Sequence, residues 1–244
     1  MDRMIYVGMV GAREVAEAQG VVSNNLANAN TTGFRADLQN LESRPLYGPG
    51  FGSRVFAGAD SPGVDLTPAP PVTTGRDLDV AVQGEGWIAV QAGDGNEAYT
   101  RAGDLQISAG GILTNGAGHP VLGNAGPLAL PPAERIEIGR DGTVSAKLMG
   151  QDNLAVLDRI KLVRPPGQDL VKGEDGLFRL RGGEEAQADA SVTLIAGAVE
   201  SSNVNTVDAL VQMMSLARLF EMQVKVMKEA ESTDQSASQL VRPG

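Results

Sequence analysis

The chain has 244 residues, 42% of them hydrophobic, with 4% aromatic residues, 31 glycines, no cysteine and a formal net charge of -10. Disulfides and thiolate metal sites are excluded, and an acidic chain with no basic cluster interleaved with aromatics makes nucleic acid a poor partner. This length can bury one ordinary core and still carry helical or extended appendages.

Met1, Met4, Ile5, Ala12, Val15, Ala18, Val22 and Leu26 recur at steps of three and four, with Gly8 and Gly11 in the same stripe, which predicts one helix over residues 2–28. The pattern is that of a coiled-coil strand with small residues at its seam. The polar run Asn28-Ala29-Asn30-Thr31-Thr32-Gly33 is the stop, so an N-terminal helical segment is bounded at 1–33. Asn24, Asn25 and Asn28 are mediocre helix formers that are costly when buried alone; they point to a hydrogen-bonded layer between packed helices, or to a frayed helix end. The apolar stretch from Met4 to Gly11 runs straight into Arg13, Glu14 and Glu17, which leaves no room for a secretory h-region and cleavage site. No window of about 18 apolar residues suggests a membrane helix.

Residues 34–75 are an extended connector. Pro45, Pro49, Pro62, Pro68, Pro70 and Pro71 alternate with Gly48, Gly50, Gly52, Gly58 and Gly63 and forbid long regular elements. Tyr47, Phe51, Val55 and Phe56 give this connector something to bury, so a docking role is expected.

Residues 76–200 are predicted to form an all-β domain of short strands beginning near Leu78, Trp87, Ile112, Ile136, Asp158, Leu177 and Val192. Asp94-Gly95, Asp141-Gly142 and Asp175-Gly176 are hairpin dipeptides of the kind type I′ turns demand. Gly84-Glu85-Gly86 matches a loose dinucleotide fingerprint, but the following residues alternate as a strand and supply no helix N-terminus for a pyrophosphate, so it is read as a tight turn. His119, the only imidazole, is read as a turn residue. The pairs Asp77 with Asp79 and Glu184 with Glu185 have the form of an acid and base, but solvated carboxylates are the simpler expectation.

The second helix, within a segment bounded at 201–244, starts after the cap Asn205, with Asp208 favouring the positive end of its dipole. Val207, Leu210, Val211, Met213, Met214, Leu216, Ala217, Leu219, Phe220, Met222, Val224, Val226 and Met227 wrap too far round it for one partner helix to cover. At roughly 1.5 Å per residue, a helix of about 35 residues is near 50 Å long and must find cover beyond its own domain. Glu221, Lys225 and Glu229 are four apart and support an outer face.

The fold class is therefore α+β: long N- and C-terminal helices pairing as a coiled coil, with an inserted all-β domain and an extended connector. Assembly is expected to rest on Met4, Ile5, Val15, Val22, Asn24, Asn25, Leu26 and Asn28 of the first helix and on Val207, Leu210, Val211, Met214, Ala217, Phe220, Val224 and Met227 of the second. No catalytic residue, cofactor, metal or small-molecule substrate is expected.

The segment SNNLANANTTGFRAD at 23–37 resembles the N-terminal signature of flagellar rod, hook and hook-associated proteins. TTGRDLDVAVQGEGWIAV at 73–90, AYTRAGDLQISAGGILTNGAGHPVLG at 98–123, IEIGRDGTVS at 136–145 and VESSNVNTVDALVQMMSLARLFE at 199–221 resemble that family in the same order. A single β domain implies a proximal or distal rod protein, and the opening MDRMIYVGM and modest length are more similar to the proximal one. The resemblance implies a structural subunit of the bacterial flagellar basal body. It would be exported by the flagellar type III apparatus without a cleaved signal and would polymerise with itself, its proximal neighbours and the distal rod protein. The product would be a periplasmic drive shaft carrying torque from motor to hook. In EMQVKVMKEAESTDQ the chain departs from its relatives, which commonly carry more polar residues around the same lysine. A carbohydrate-binding β domain with helical anchors is the alternative, motivated by Trp87, Tyr99 and the acidic pairs.

Overall fold

The computed structural model describes residues 2–39, 41–45, 55–59, 63–148, 150 and 153–240. The chain is α+β: helix Asp2–Ala27 (α1) opens it, helix Thr206–Leu240 (α2) closes it, and short strands lie between. It divides into two compact units, one of Met1–Ala29, Ala36–Asp65 and Val204–Gly244, the other of Asn30–Arg35 and Leu66–Asn203.

In the helical unit α1 packs along α2. Ala12, Val15, Ala18 and Val22 form the buried stripe of α1, while Ala209 and Ala230 are buried on α2. The glycines of the seam permit the close approach: a Cβ on Gly8 would stand 2.8 Å from Met227 Cγ, and one on Gly11 3.1 Å from Gln223 Cδ. Gly8→Leu is expected to lower the thermal stability of the helix pair by about 1–3 kcal/mol through overpacking, despite its better helix propensity. A melt followed by far-UV circular dichroism checks this, and an unchanged midpoint would contradict it.

The cap of α2 forms as its sequence indicates, with Asn205 Oδ1 accepting from the Val207 amide at 3.0 Å. Strand Leu41–Pro45 pairs antiparallel with Val55–Ala59, and Asp37–Leu38 with Gly63–Val64, so part of the connector carries short two-stranded ribbons. Tyr47 and Phe51 lie outside the described residues. Asn25 does not reach across to another helix: its Nδ2 donates to the Asp37 carbonyl at 2.8 Å and its Oδ1 accepts from the Asp37 amide at 2.9 Å. An amide side chain bonding this way stands in for a strand neighbour and ties the returning chain to α1.

The other unit is antiparallel throughout. Its largest sheet runs in the order Leu162–Val163, Trp87–Gln91, Glu97–Thr100, Phe178–Leu180, Leu170–Lys172. A meander of Ala133–Ile138, Thr143–Leu148 and Leu154–Arg159 forms a separate three-stranded sheet, and Val80–Gln83 pairs with Thr193–Ala196. Val80, Ile88, Val90, Leu105, Leu113, Val121, Val144 and Leu194 are fully buried at the centre.

The hairpin dipeptides do not make type I′ turns. That turn needs positive φ at both central residues, and among the described residues only glycines have it, including Gly95, Gly142 and Gly176. Each loop instead closes with a glycine amide bonded three residues back: Gly95 to Ala92 at 2.9 Å, Gly142 to Gly139 at 3.0 Å, Gly176 to Gly173 at 3.0 Å. This is the three-residue hairpin, a type I turn finished by a left-handed glycine. The aspartate before each glycine accepts from the amide two residues on, at 3.1 Å in all three cases. Hydrogen bonds hold these carboxyls below the usual range, chiefly from the side chain of Asn96 for Asp94, Thr143 for Asp141 and Arg179 for Asp175.

Candidate assembly surface

At 3.6 residues per turn, Val207, Leu210, Val211 and Met214 share one face of α2, opposite the face of Ala209, Leu216, Met227 and Ala230. The first four are 67%, 48%, 52% and 56% exposed. Further along, Phe220, Met222 and Val226 are also exposed, but Arg218, Glu221 and Lys225 interrupt them. The uncovered apolar surface is thus densest over the first three turns. Large apolar side chains clustered on one exposed face mark an interaction surface, because each would gain by leaving water.

The other residues expected to carry assembly divide between roles. Val15 and Val22 are buried in the helix pair. Ile5, Asn25, Leu26, Asn28, Ala217, Val224 and Met227 are half-buried, Asn24 is exposed, and the side chain of Met4 lies outside the described residues. Tyr6 and Met9, outside the predicted set, add exposed apolar surface on α1; they interrupt the buried period of that helix, which was the available signal.

Gly84 and Gly86 have positive φ in a link between strands Val80–Gln83 and Trp87–Gln91, with no helix behind it. His119 sits in a turn where its amide donates to Asn115 Oδ1 at 2.9 Å. Asp77 is exposed as expected, but Asp79 is only 2% exposed: its Oδ2 accepts from Thr74 Oγ1 at 2.6 Å and its Oδ1 lies 3.5 Å from Arg76 Nη1. Trp87 and Tyr99 are buried, and the Tyr99 hydroxyl accepts from the Ala186 amide, so neither offers an exposed platform for a sugar. Burial pushes the Tyr99 phenol well above its usual range. Among the described residues no group of three His, Cys, Asp or Glu is placed to hold a metal ion. An open cavity of about 290 Å³ is lined by Glu97, Leu122, Asn124, Lys161 and Glu185, and there Lys161 Nζ is paired with Glu97 Oε2 at 2.6 Å.

The terminal helix pair leaves an apolar face of α2 uncovered, and similarity to known proteins supplies the class of protein to which this arrangement belongs. Residues 5–35 match the family described as flagella basal body rod protein, 81–146 the flagellar hook protein FlgE/F/G D1 domain, and 195–240 the flagellar basal body rod FlgEFG protein C-terminal family. The chain is 43% identical over 249 residues to flagellar basal-body rod protein FlgF of Escherichia coli (strain K12), covering 99% of each. It is 33% identical over 245 residues to FlgF of Caulobacter vibrioides, covering 97% of each, and 30% identical over 269 residues to flagellar basal-body rod protein FlgG of Bacillus subtilis (strain 168), covering 99% of this chain and all of that one. The chain belongs to the FlgF family of flagellar basal-body rod proteins, structural subunits of the flagellar rod.

Proposed function

We propose that this chain polymerises through its terminal helices into the proximal part of the rod, the periplasmic shaft that carries torque from motor to hook. The observation that carries the reading is the apolar face of Val207, Leu210, Val211 and Met214, which α1 does not cover. In this reading α1 and α2 pair as a coiled coil, segments 1–33 and 201–244 are the assembly helices, 34–75 clasps neighbours, and 76–200 is an inserted domain that stiffens the tube. Partners are further copies, other proximal rod subunits and the distal rod protein, and the chain reaches its place through the flagellar type III apparatus. It performs no catalysis and needs no cofactor. Basal bodies isolated from a strain lacking the gene are expected to carry a rod cut short near its cell-proximal part, restored by the wild-type chain. A full-length rod in that strain would overturn the reading.

A further inference from the structure

Three charged side chains meet inside the β unit, apart from the assembly surface: Arg35, Arg101 and Glu200, each no more than 2% exposed. Glu200 Oε1 accepts from Arg35 Nη2 at 2.5 Å and from the Ala69 amide at 2.8 Å, and its Oε2 accepts from Arg101 Nη1 at 2.9 Å. The Glu200 carbonyl accepts from the Gly33 amide at 2.9 Å, and the Phe34 carbonyl from the Asn203 amide at 3.4 Å. Both guanidinium groups stand over the Trp87 ring, Arg101 at 5.2 Å and Arg35 at 6.0 Å. Lys172 Nζ donates to the Arg35 carbonyl at 2.8 Å and lies 4.1 Å over the Phe34 ring.

The location of this cluster in the chain is what gives it meaning. The chain enters or leaves the β unit at residues 30, 35, 66 and 203. Glu200, at the end of the exit strand Ala198–Glu200, therefore bonds the 30–35 strap through both its carboxylate and its carbonyl, and the 66–70 segment through its carboxylate. A buried ion pair adds little net stability over a well-packed apolar filling, because desolvation offsets the attraction. What it adds is direction: charged hydrogen bonds to a planar carboxylate admit few arrangements of the donors. The aromatic face of Trp87 takes up part of the excess positive charge of two arginines against one glutamate.

We propose that Glu200 is the positioning residue that pins every chain crossing of the β unit to one point, so that load carried along the chain enters the β unit there. The pinning belongs to the isolated chain, and only its load-bearing consequence rests on the rod reading. Arg35→Met removes the strap's share and leaves Glu200 paired one to one with Arg101, so no unpaired charge is buried and the core keeps its fold. Hydrogen exchange on the purified full chain is expected to show the Gly33 and Asn203 amides of this variant exchanging at least about tenfold faster, with Ala69, Ile88 and Val90 unchanged. Arg35→Lys keeps the charge and loses the fork, and should give the same local loss without a change in melting temperature. Unchanged exchange at Gly33, or acceleration spread evenly over the β core, would overturn the pinning. Cells carrying Arg35→Met are expected to build rods of normal length and to lose swimming speed in viscous medium; normal speed there, or absent rods, would overturn the load-bearing role.

Discussion

Leu210→Asp is expected to abolish motility and rod assembly while the purified monomer folds as the wild type does. Leu210 is 48% exposed on the uncovered face of α2, so in the monomer an aspartate there stays in water and costs little beyond a small loss of helix propensity. Between packed subunits the same carboxylate would be desolvated without a partner, at a cost of about 3–5 kcal/mol per contact. Because every subunit repeats the contact, the defect multiplies along the polymer. Phe220 is 38% exposed but lies four residues from Leu216 and seven from Met227, on the other side of α2, so Phe220→Asp is expected to weaken the helix pair of the monomer as well. Val15→Asp separates the two roles of the helices: Val15 is 4% exposed within the helix pair, so its replacement should unfold that pair already in the monomer. Electron microscopy of basal bodies together with circular dichroism of the monomer makes the comparison. Normal motility with Leu210→Asp would refute the assembly surface.

The second large effect belongs to the β unit. Ile88 is fully buried in strand Trp87–Gln91, between Leu162–Val163 and Glu97–Thr100. Truncation to alanine removes apolar contacts and leaves a cavity that a sheet fixed on both sides cannot close, at a cost of about 2–5 kcal/mol. For a unit of this size the melting temperature should fall by roughly 10 °C, read by calorimetry. Val156→Ala is the control: Val156 is 70% exposed on strand Leu154–Arg159, and its loss should stay within about 0.5 kcal/mol. A fall of less than about 2 °C for Ile88→Ala would show that the central sheet does not govern the unit's stability.

Where an element is specified by neighbouring residues, the sequence alone was enough to find it. The helix bounds followed from periodicity, from the polar stop after α1 and from the Asn205 cap, all of which act within one or two turns. The hairpins were found at their Asp-Gly pairs for the same reason. Their type was not, because an aspartate that can bond its own chain two residues on has no need of a left-handed backbone, and the glycine alone takes it. The breadth of the apolar band on α2 was also legible, since a helix shows its whole circumference in its sequence.

Which part of that band stays open is decided by packing. Val15 and Val22 share the period of a docking face, yet α2 covers them, while Val207 to Met214 face away. Asn25 carries no mark of its partner Asp37, which only the return of the chain brings near. Asp79 likewise looked solvated until neighbouring segments closed over it. The buried cluster is the extreme case: Glu200 meets Arg35 across 165 residues and Arg101 across 99. The sequence by itself determined the helices, the turns and the excess of apolar surface, because these arise from interactions a few residues long. The tertiary structure alone decided which apolar face is left uncovered and where the chain crossings are held, because those depend on contacts between segments that local pattern does not relate.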